Sequence, residues 1–304
     1  MLLNYYKHLL GEVPSFLKKY LKDPNLLRLK NIHYFCGMDY ASKEVYPFAE
    51  TITRFDHSLT VALLVYRLTL DKTKTIAGLF HDVATPCFSH VIDYMNGDYQ
   101  NQESTEEYTE IILENDEYLK KCLEEDSIAL DDVIHFKKFS VVDNDRPKMC
   151  ADRIDGVILT GIGWTKSISK EDIFDIVNNL GLFLNEDGEE EIGFFSHEIA
   201  KKVVRFSDEI DSYCHSKEDN YMMSLLADIT KYAIDAQYFT YQDLYRFSEN
   251  ELFLRMKMIP DPFLQEQIRI FQTISKEKIP SIEISGIKRR DLNPLVKEKR
   301  FHRQ

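Results

Sequence analysis

Residues 57–70 read HSLTVALLVYRLTL, and after three more residues 74–84 read KTIAGLFHDVA. In the first stretch His57, Val61, Leu64, Val65 and Leu68 fall at i, i+4, i+7, i+8 and i+11, which is one face of an amphipathic helix. The second stretch is an apolar helix stopped by Pro86. Working outward, residues 103–126 read as a charged, half-exposed helix and 149–160 (MCADRIDGVILT) as a buried one. Further helices are expected over 171–183, 196–213, 221–235 and 241–256. Asn185 to Glu191 reads as an acidic turn. The one β signal is the short alternation from Ser281 to Ser285. There is no internal repeat and no low-complexity linker. The expected fold is all-α: a helical domain over 1–260 with its chemistry-bearing core at about 27–160, and 261–304 as a short irregular C-terminal extension with a basic tail.

Composition narrows the function. Only 11 glycines and 9 prolines occur in 304 residues, which disfavours a turn-rich all-β or collagen-like chain. No apolar run approaches 18 residues, so no transmembrane helix is expected. Met1 to His8 lacks the pattern of a signal peptide. Five cysteines, an odd set without a CxxC pair, read as reduced thiols in a cytoplasmic protein. The net charge is −13, yet residues 288–304 carry +5. An acidic chain is a poor partner for nucleic acid. Its basic tail could meet a phosphate, an acidic subunit or only water.

The chemistry lies in scattered His and Asp residues. His57 sits on an apolar helix face, His81-Asp82 closes an apolar helix, and Asp152 opens another. A lone buried histidine is usually a packed core residue, and a lone His-Asp pair means little. Three apolar helices that each supply a metal-type side chain shift the balance, because carboxylates enter apolar surroundings chiefly when paired or metal-bound. Two imidazoles and two carboxylates can hold one divalent ion with positions left open. Such an ion neutralises phosphate oxygens and lowers the pKa of water.

His57, His81-Asp82 and Asp152 together resemble the H…HD…D signature of the HD-domain phosphohydrolases. The resemblance extends to the deoxynucleoside triphosphate triphosphohydrolase branch. Thr53-Arg54-Phe55-Asp56-His57 is similar to that branch's entry into its first metal helix. Gly78-Leu79-Phe80-His81-Asp82 with Pro86-Cys87-Phe88-Ser89-His90 resembles its "GLLHDIGHGPFSH" stretch. Ala151-Asp152-Arg153-Ile154-Asp155 resembles its "ADRxDY" stretch, and Ile287 to Arg290 its C-terminal basic segment. The resemblance implies an all-α HD-domain bundle with one divalent ion (iron, manganese, nickel, zinc or magnesium) held by His57, His81, Asp82 and Asp152. It implies phosphate contacts from Arg54 and Arg153, whose guanidinium forks suit phosphate oxygens. It places His90 and Asp93 as a proton-handling pair near the scissile phosphate, and Glu103 in the position of the branch's "HE" carboxylate. A homo-oligomer is expected by the same analogy.

The chain also departs from that branch. Thr85 stands for the histidine of "HDxxH", Gln102 for the histidine of "HE", Gly156 for the tyrosine of "ADRxDY", and Tyr34 for a sugar-reading glutamine. Neither Thr nor Gln can act as an imidazole acid. The expected function is a metal-dependent phosphohydrolase acting on a nucleotide or related phosphate ester. The alternative is a catalytically silent nucleotide-binding or regulatory protein. Two-metal members of the superfamily need further histidines, and alarmone hydrolases carry an acidic pair where this chain has Val83-Ala84-Thr85-Pro86. The run from Thr160 to Ser167 lacks the glycine and strand of a P-loop, and His197-Glu198 has no second histidine.

Overall fold

Thr53 starts the helix that carries the first quoted stretch. Its hydroxyl accepts from Asp56 N at 3.2 Å, and Asp56 Oδ2 accepts from Thr53 N at 2.8 Å, a reciprocal cap that opens the helix Arg54–Thr69. Leu70 ends it in the left-handed region, φ 56°. Asp71 then caps the helix Lys72–Phe80 through Lys74 N at 3.0 Å. This second helix stops earlier than expected. Val83 N donates to Phe80 O and Thr85 N to Asp82 O, each at 3.0 Å, so His81 and Asp82 sit in tight turns at its end. The computed structural model describes every residue except 101, 103, 105, 283 and 302–304.

Other helices follow the sequence with local breaks. The stretch 103–126 becomes Thr109–Glu114 and Glu117–Asp126, because the Asp116 carboxylate accepts from Leu119 N at 2.8 Å and begins a new helix. The stretch 241–256 splits into a 3-10 turn Tyr241–Tyr245 and a helix Glu249–Met258 capped by Ser248. The expected buried helix is Ala151–Gly163, and the two long C-terminal helices are His197–Cys214 and Lys217–Asp235.

The all-α expectation needs correction. The molecule is mostly helical, but four strands form a small sheet: β1 Leu180–Leu184, β2 Glu190–Phe194, β3 Leu295–Val296 and β4 Lys299–Arg300, in that spatial order. β1 and β2 are antiparallel, with Leu180 opposite Phe194 and Leu182 opposite Ile192. β3 runs parallel to β2 and antiparallel to β4. The helix expected over 171–183 therefore ends at Asn179. The acidic turn is the hairpin loop, where Asn185 Oδ1 accepts from Asp187 N and Glu189 N, at 2.9 and 3.0 Å. Gly193 is required by a close approach, since a Cβ there would lie 2.7 Å from Leu295 O. The short β signal near 281 forms no strand among its described residues. The C-terminal extension is not irregular throughout: Asp261 caps a helix Pro262–Thr273 whose Leu264, Ile268 and Phe271 are buried.

Two apolar cores flank the Arg54–Thr69 helix. Ala62 joins one with Phe80, Phe88, Met222 and Leu226; Val61, Leu64 and Val65 join the other with Ile154, Ile158 and Phe206. The His and Asp residues singled out above lie at the seam, where a cavity takes Tyr46 and Met223 from the first core and Phe35 and Val157 from the second.

Candidate metal centre and its cavity

Three helical segments deliver the central side chains. His57 comes from the first turn of Arg54–Thr69, His81 and Asp82 from the end of Lys72–Phe80, and Asp152 from the first turn of Ala151–Gly163, where a helix N-terminus favours a carboxylate. His57 Nε2 lies 3.0 Å from Asp152 Oδ1 and 3.8 Å from Asp82 Oδ2. His81 Nε2 lies 3.5 Å from Asp152 Oδ1 and 3.8 Å from Asp82 Oδ1. His57, His81 and Asp152 offer donor atoms that all lie within 4.8 Å of one another.

Both imidazoles are turned toward this cluster by their far nitrogens. His57 Nδ1 donates to Asp155 Oδ2 at 2.7 Å, and His81 Nδ1 to Gly78 O at 2.8 Å. Each leaves Nε2 facing Asp152 and Asp82. His81 Nε2 is buried and makes no hydrogen bond. A buried polar atom without a partner is costly, and an ion shared with three neighbouring donors would satisfy it. The residues present therefore fit a divalent cation.

Charge is concentrated here. Burial works against the His57 imidazolium, but contacts with Asp152 and Asp155 outweigh it and hold the pKa up to about 10. Burial likewise opposes the charge of Asp82, yet His81, Arg54 and His57 hold its carboxyl down at about 2. Burial also opposes Asp152, and its contacts with His57 and His81 pull it well below the usual carboxylate range.

Arg54 Nη1 donates to Asp82 Oδ2 at 2.9 Å and Nε to Ser89 Oγ at 3.2 Å, with the guanidinium stacked 5.1 Å over the Tyr34 ring. Phe88 and Ser89 both take positive φ, 65° and 45°, and reverse the chain so that His90 opens the helix Val91–Asn96 beside Arg54. His90 Nδ1 donates to Asp93 Oδ2 at 2.8 Å, while the fully buried Asp93 accepts from Ser104 N at 2.9 Å. His90 lines the cavity. Arg153 lines it too, but spends its Nη atoms on the preceding loop: on Asn144 Oδ1 and Asn144 O, each at 2.6 Å, and on Lys148 O. Glu103 lies outside the described residues.

Sequence reasoning gave no role to Asp155, which is buried completely and also accepts from Tyr6 OH at 2.7 Å. The signal was present, since 152 and 155 are three apart and share a helix face. The cavity wall away from His57 and Asp152 takes Trp164, Asp219 and Met223, which were not foreseen, and Arg290 from the basic segment that the sequence had singled out without a role. A Cβ on Gly156 would lie 3.3 Å from the Tyr34 hydroxyl, so the two departures at 34 and 156 are neighbours in space.

Residues 54–155 match the family model for the HD domain. The chain is similar, at 29% identity over 151 residues, to the uncharacterized protein YdhJ of Bacillus subtilis; the match covers 47% of this chain and 42% of YdhJ. It is also similar, at 28% identity over 136 residues, to the metal-dependent phosphohydrolase cns2 of Cordyceps militaris, covering 43% of this chain and 37% of that protein. The matched part thus spans about two fifths of the length of these relatives. These matches support the HD superfamily for the segment holding His57, His81, Asp82 and Asp152. The triphosphohydrolase branch is not among the things they support. No helix among the described residues is long and apolar enough to cross a membrane.

Proposed function

We propose that the chain is a metal-dependent phosphohydrolase whose substrate is a nucleotide or a related small phosphate ester. The observation that carries this reading is the meeting of His57, His81, Asp82 and Asp152 beside a cavity, with His81 Nε2 buried and unpartnered. These four residues would hold one divalent ion. When bound, it would supply charge neutralisation at a phosphoryl oxygen and acidify water. Arg54, stacked on Tyr34 and paired with Asp82, is placed to receive a phosphate oxygen beside them. His90, oriented by Asp93, handles the proton at its Nε2. The aromatic residues Tyr34, Phe35, Tyr94 and Trp164 that line the cavity suit a ring-bearing substrate such as a nucleotide.

The second reading is a protein that binds without turnover. It is favoured by the neighbours of His90: Gln102, not histidine, lines the cavity, and Thr85 is buried with an unpartnered hydroxyl. One screen separates the two. Purified chain is incubated with deoxynucleoside and ribonucleoside triphosphates and monophosphates, each with manganese, magnesium or iron, and products are identified. Metal-dependent release of tripolyphosphate, pyrophosphate or orthophosphate that is lost in His81→Ala supports the enzyme. Nucleotide binding by calorimetry with no product after long incubation supports the silent protein.

A further inference from the structure

The C-terminal segment is fastened across the His197–Cys214 helix. Asp211 Oδ1 accepts from Arg290 N at 2.7 Å, Ser207 Oγ donates to Arg290 O at 2.6 Å, and Arg289 Nη1 lies 3.2 Å from Asp211 Oδ2. Further along, Asn293 N donates to Pro147 O at 2.9 Å, and Arg300 grips Glu186 and the buried Glu191. With its backbone held this way, Arg290 sends its side chain into the cavity. Its Nε is buried and makes no hydrogen bond; the polar group against it is the Cys214 thiol. Among the described residues, no carboxylate forms an ion pair with it.

Arg146 and Arg153 line the same cavity. Arg153 also has a buried Nε without a partner. Arg146 finds only a long contact to Asp291 O, 3.4 Å, and burial with the nearness of Arg153 and Arg290 pushes it down to about 10. One carboxylate on the wall, Asp219, is occupied by Tyr46 OH at 2.6 Å and raised by burial to about 7. Arg153 has Asp143 Oδ1 at 3.5 Å and Arg54 has Asp82, so among the described residues Arg146 and Arg290 are the guanidiniums of the cavity without an ion pair. Half-buried cations held close together without counter-ions are unfavourable unless an anion completes them. The chain as a whole is strongly acidic, so this cluster runs against its average. Two guanidiniums without a carboxylate of their own, Arg146 and Arg290, thus face the cavity together with Arg54, which suits a second phosphate of charge about −2 beyond the one at Arg54.

We propose that Arg290, carried in by the C-terminal segment, is a substrate-binding residue that with Arg146 and Arg153 holds a second anionic group of the substrate, a further phosphate of a polyphosphate chain. This rests on the phosphohydrolase reading for the identity of the anion, yet it assigns a binding residue far outside the HD segment.

The test is binding of inorganic tripolyphosphate and of orthophosphate to the full chain, by calorimetry in chelator. Turnover plays no part, so failure of the hydrolase reading is seen separately. Tripolyphosphate should bind at least about tenfold tighter than orthophosphate, and R290M should abolish most of that difference. K299A, altering an exposed side chain of the same segment that takes no part in fastening Arg290, should leave both affinities unchanged. R290K keeps the stem and charge but not the fork, and should lose part of the preference; it carries the test if R290M does not fold. Citrate serves as a non-phosphate trianion and should bind more weakly than tripolyphosphate. Equal binding of tripolyphosphate and orthophosphate, citrate binding as tightly as tripolyphosphate, or R290M and R290K behaving as the unaltered chain would each overturn the proposal.

Discussion

Asp155→Asn tests the metal centre without touching any proposed ligand. The Asp155 carboxylate serves two buried donors, His57 Nδ1 at 2.7 Å and Tyr6 OH at 2.7 Å. While it accepts from Nδ1, His57 Nε2 points toward Asp152 and Asp82, so that an ion binding there displaces the Nε2 proton and meets the ring lone pair. Asparagine fills the same space but has one acceptor oxygen for two donors. If that oxygen stays with Tyr6, the amide NH2 faces Nδ1 and forces the proton onto Nε2, where an ion should bind. If it stays with His57, Tyr6 is left buried and unpaired. Loss of such an orienting partner costs 10–100-fold in metal affinity, or about 1.4–2.8 kcal/mol. The assay is calorimetric titration of manganese into chelator-stripped chain, with near-ultraviolet circular dichroism confirming that both proteins are folded. Tyr6→Phe, which leaves the His57 contact intact, should lose much less. An Asp155→Asn protein that binds manganese within twofold of the parent would refute the orientation argument. A parent that binds no divalent ion would refute the metal centre itself.

Three further outcomes are expected. Asp82→Asn removes a proposed ligand and the partner of Arg54, so metal-dependent phosphate release should fall on the order of a thousandfold, measured by initial rates at saturating manganese. Burial raises the Glu249 carboxyl to about 7 although it accepts from His33 N and Phe88 N; since the folded value exceeds the unfolded one, its contribution is complete below about pH 4.5 and is lost as pH rises through about 7, some 3 kcal/mol in all. Glu249→Gln should therefore gain stability relative to the parent across that window in urea denaturation, and a flat difference would contradict the shift. Gly161→Ala would place a Cβ 2.4 Å from the Ile168 side chain and should cost about 1–3 kcal/mol by the same denaturation assay, whereas an unchanged midpoint would show that Ile168 can move aside.

The helices around the metal centre were legible because their signals are local. The 3.6-residue spacing of apolar positions acts within a few residues, and the structure follows it, with caps at Thr53 and Asp71 that start the helices slightly before the stretches quoted from the sequence. What escaped was decided at long range. Leu180–Leu184 and Glu190–Phe194 contain Gly181 and Gly193, poor strand formers, and they gain a third strand from residues a hundred positions away. Asp116 could be read either as one more charge on an exposed helix or as a cap, and only the break at Asn115 decides. The described residues of the alternation near 281 form no strand.

The same division governs the site. Arg54, His57, His81, Asp82 and Asp152 lie within the matched segment, and the resemblance of their motifs to the HD family pointed to them. The residues facing the remainder of a substrate come mostly from outside it: Tyr34 before it, and Trp164, Asp219 and Arg290 after it. Tyr34, from before the matched segment, reaches Gly156 within it, and a Cβ there would lie 3.3 Å from the Tyr34 hydroxyl. A metal cluster can be read from motif spacing because its geometry tolerates little change. A selectivity wall assembled from distant segments has no such spacing, since any helix or strap that reaches the cavity can contribute to it. On the proposed function, substrate choice would then be carried by the flanking elements. Exchanging Tyr34, Asp219 or Arg290 should alter which phosphate compound is taken while leaving the manganese affinity of the centre in place, and a change in metal affinity without a change in substrate preference would place the boundary between the two elsewhere.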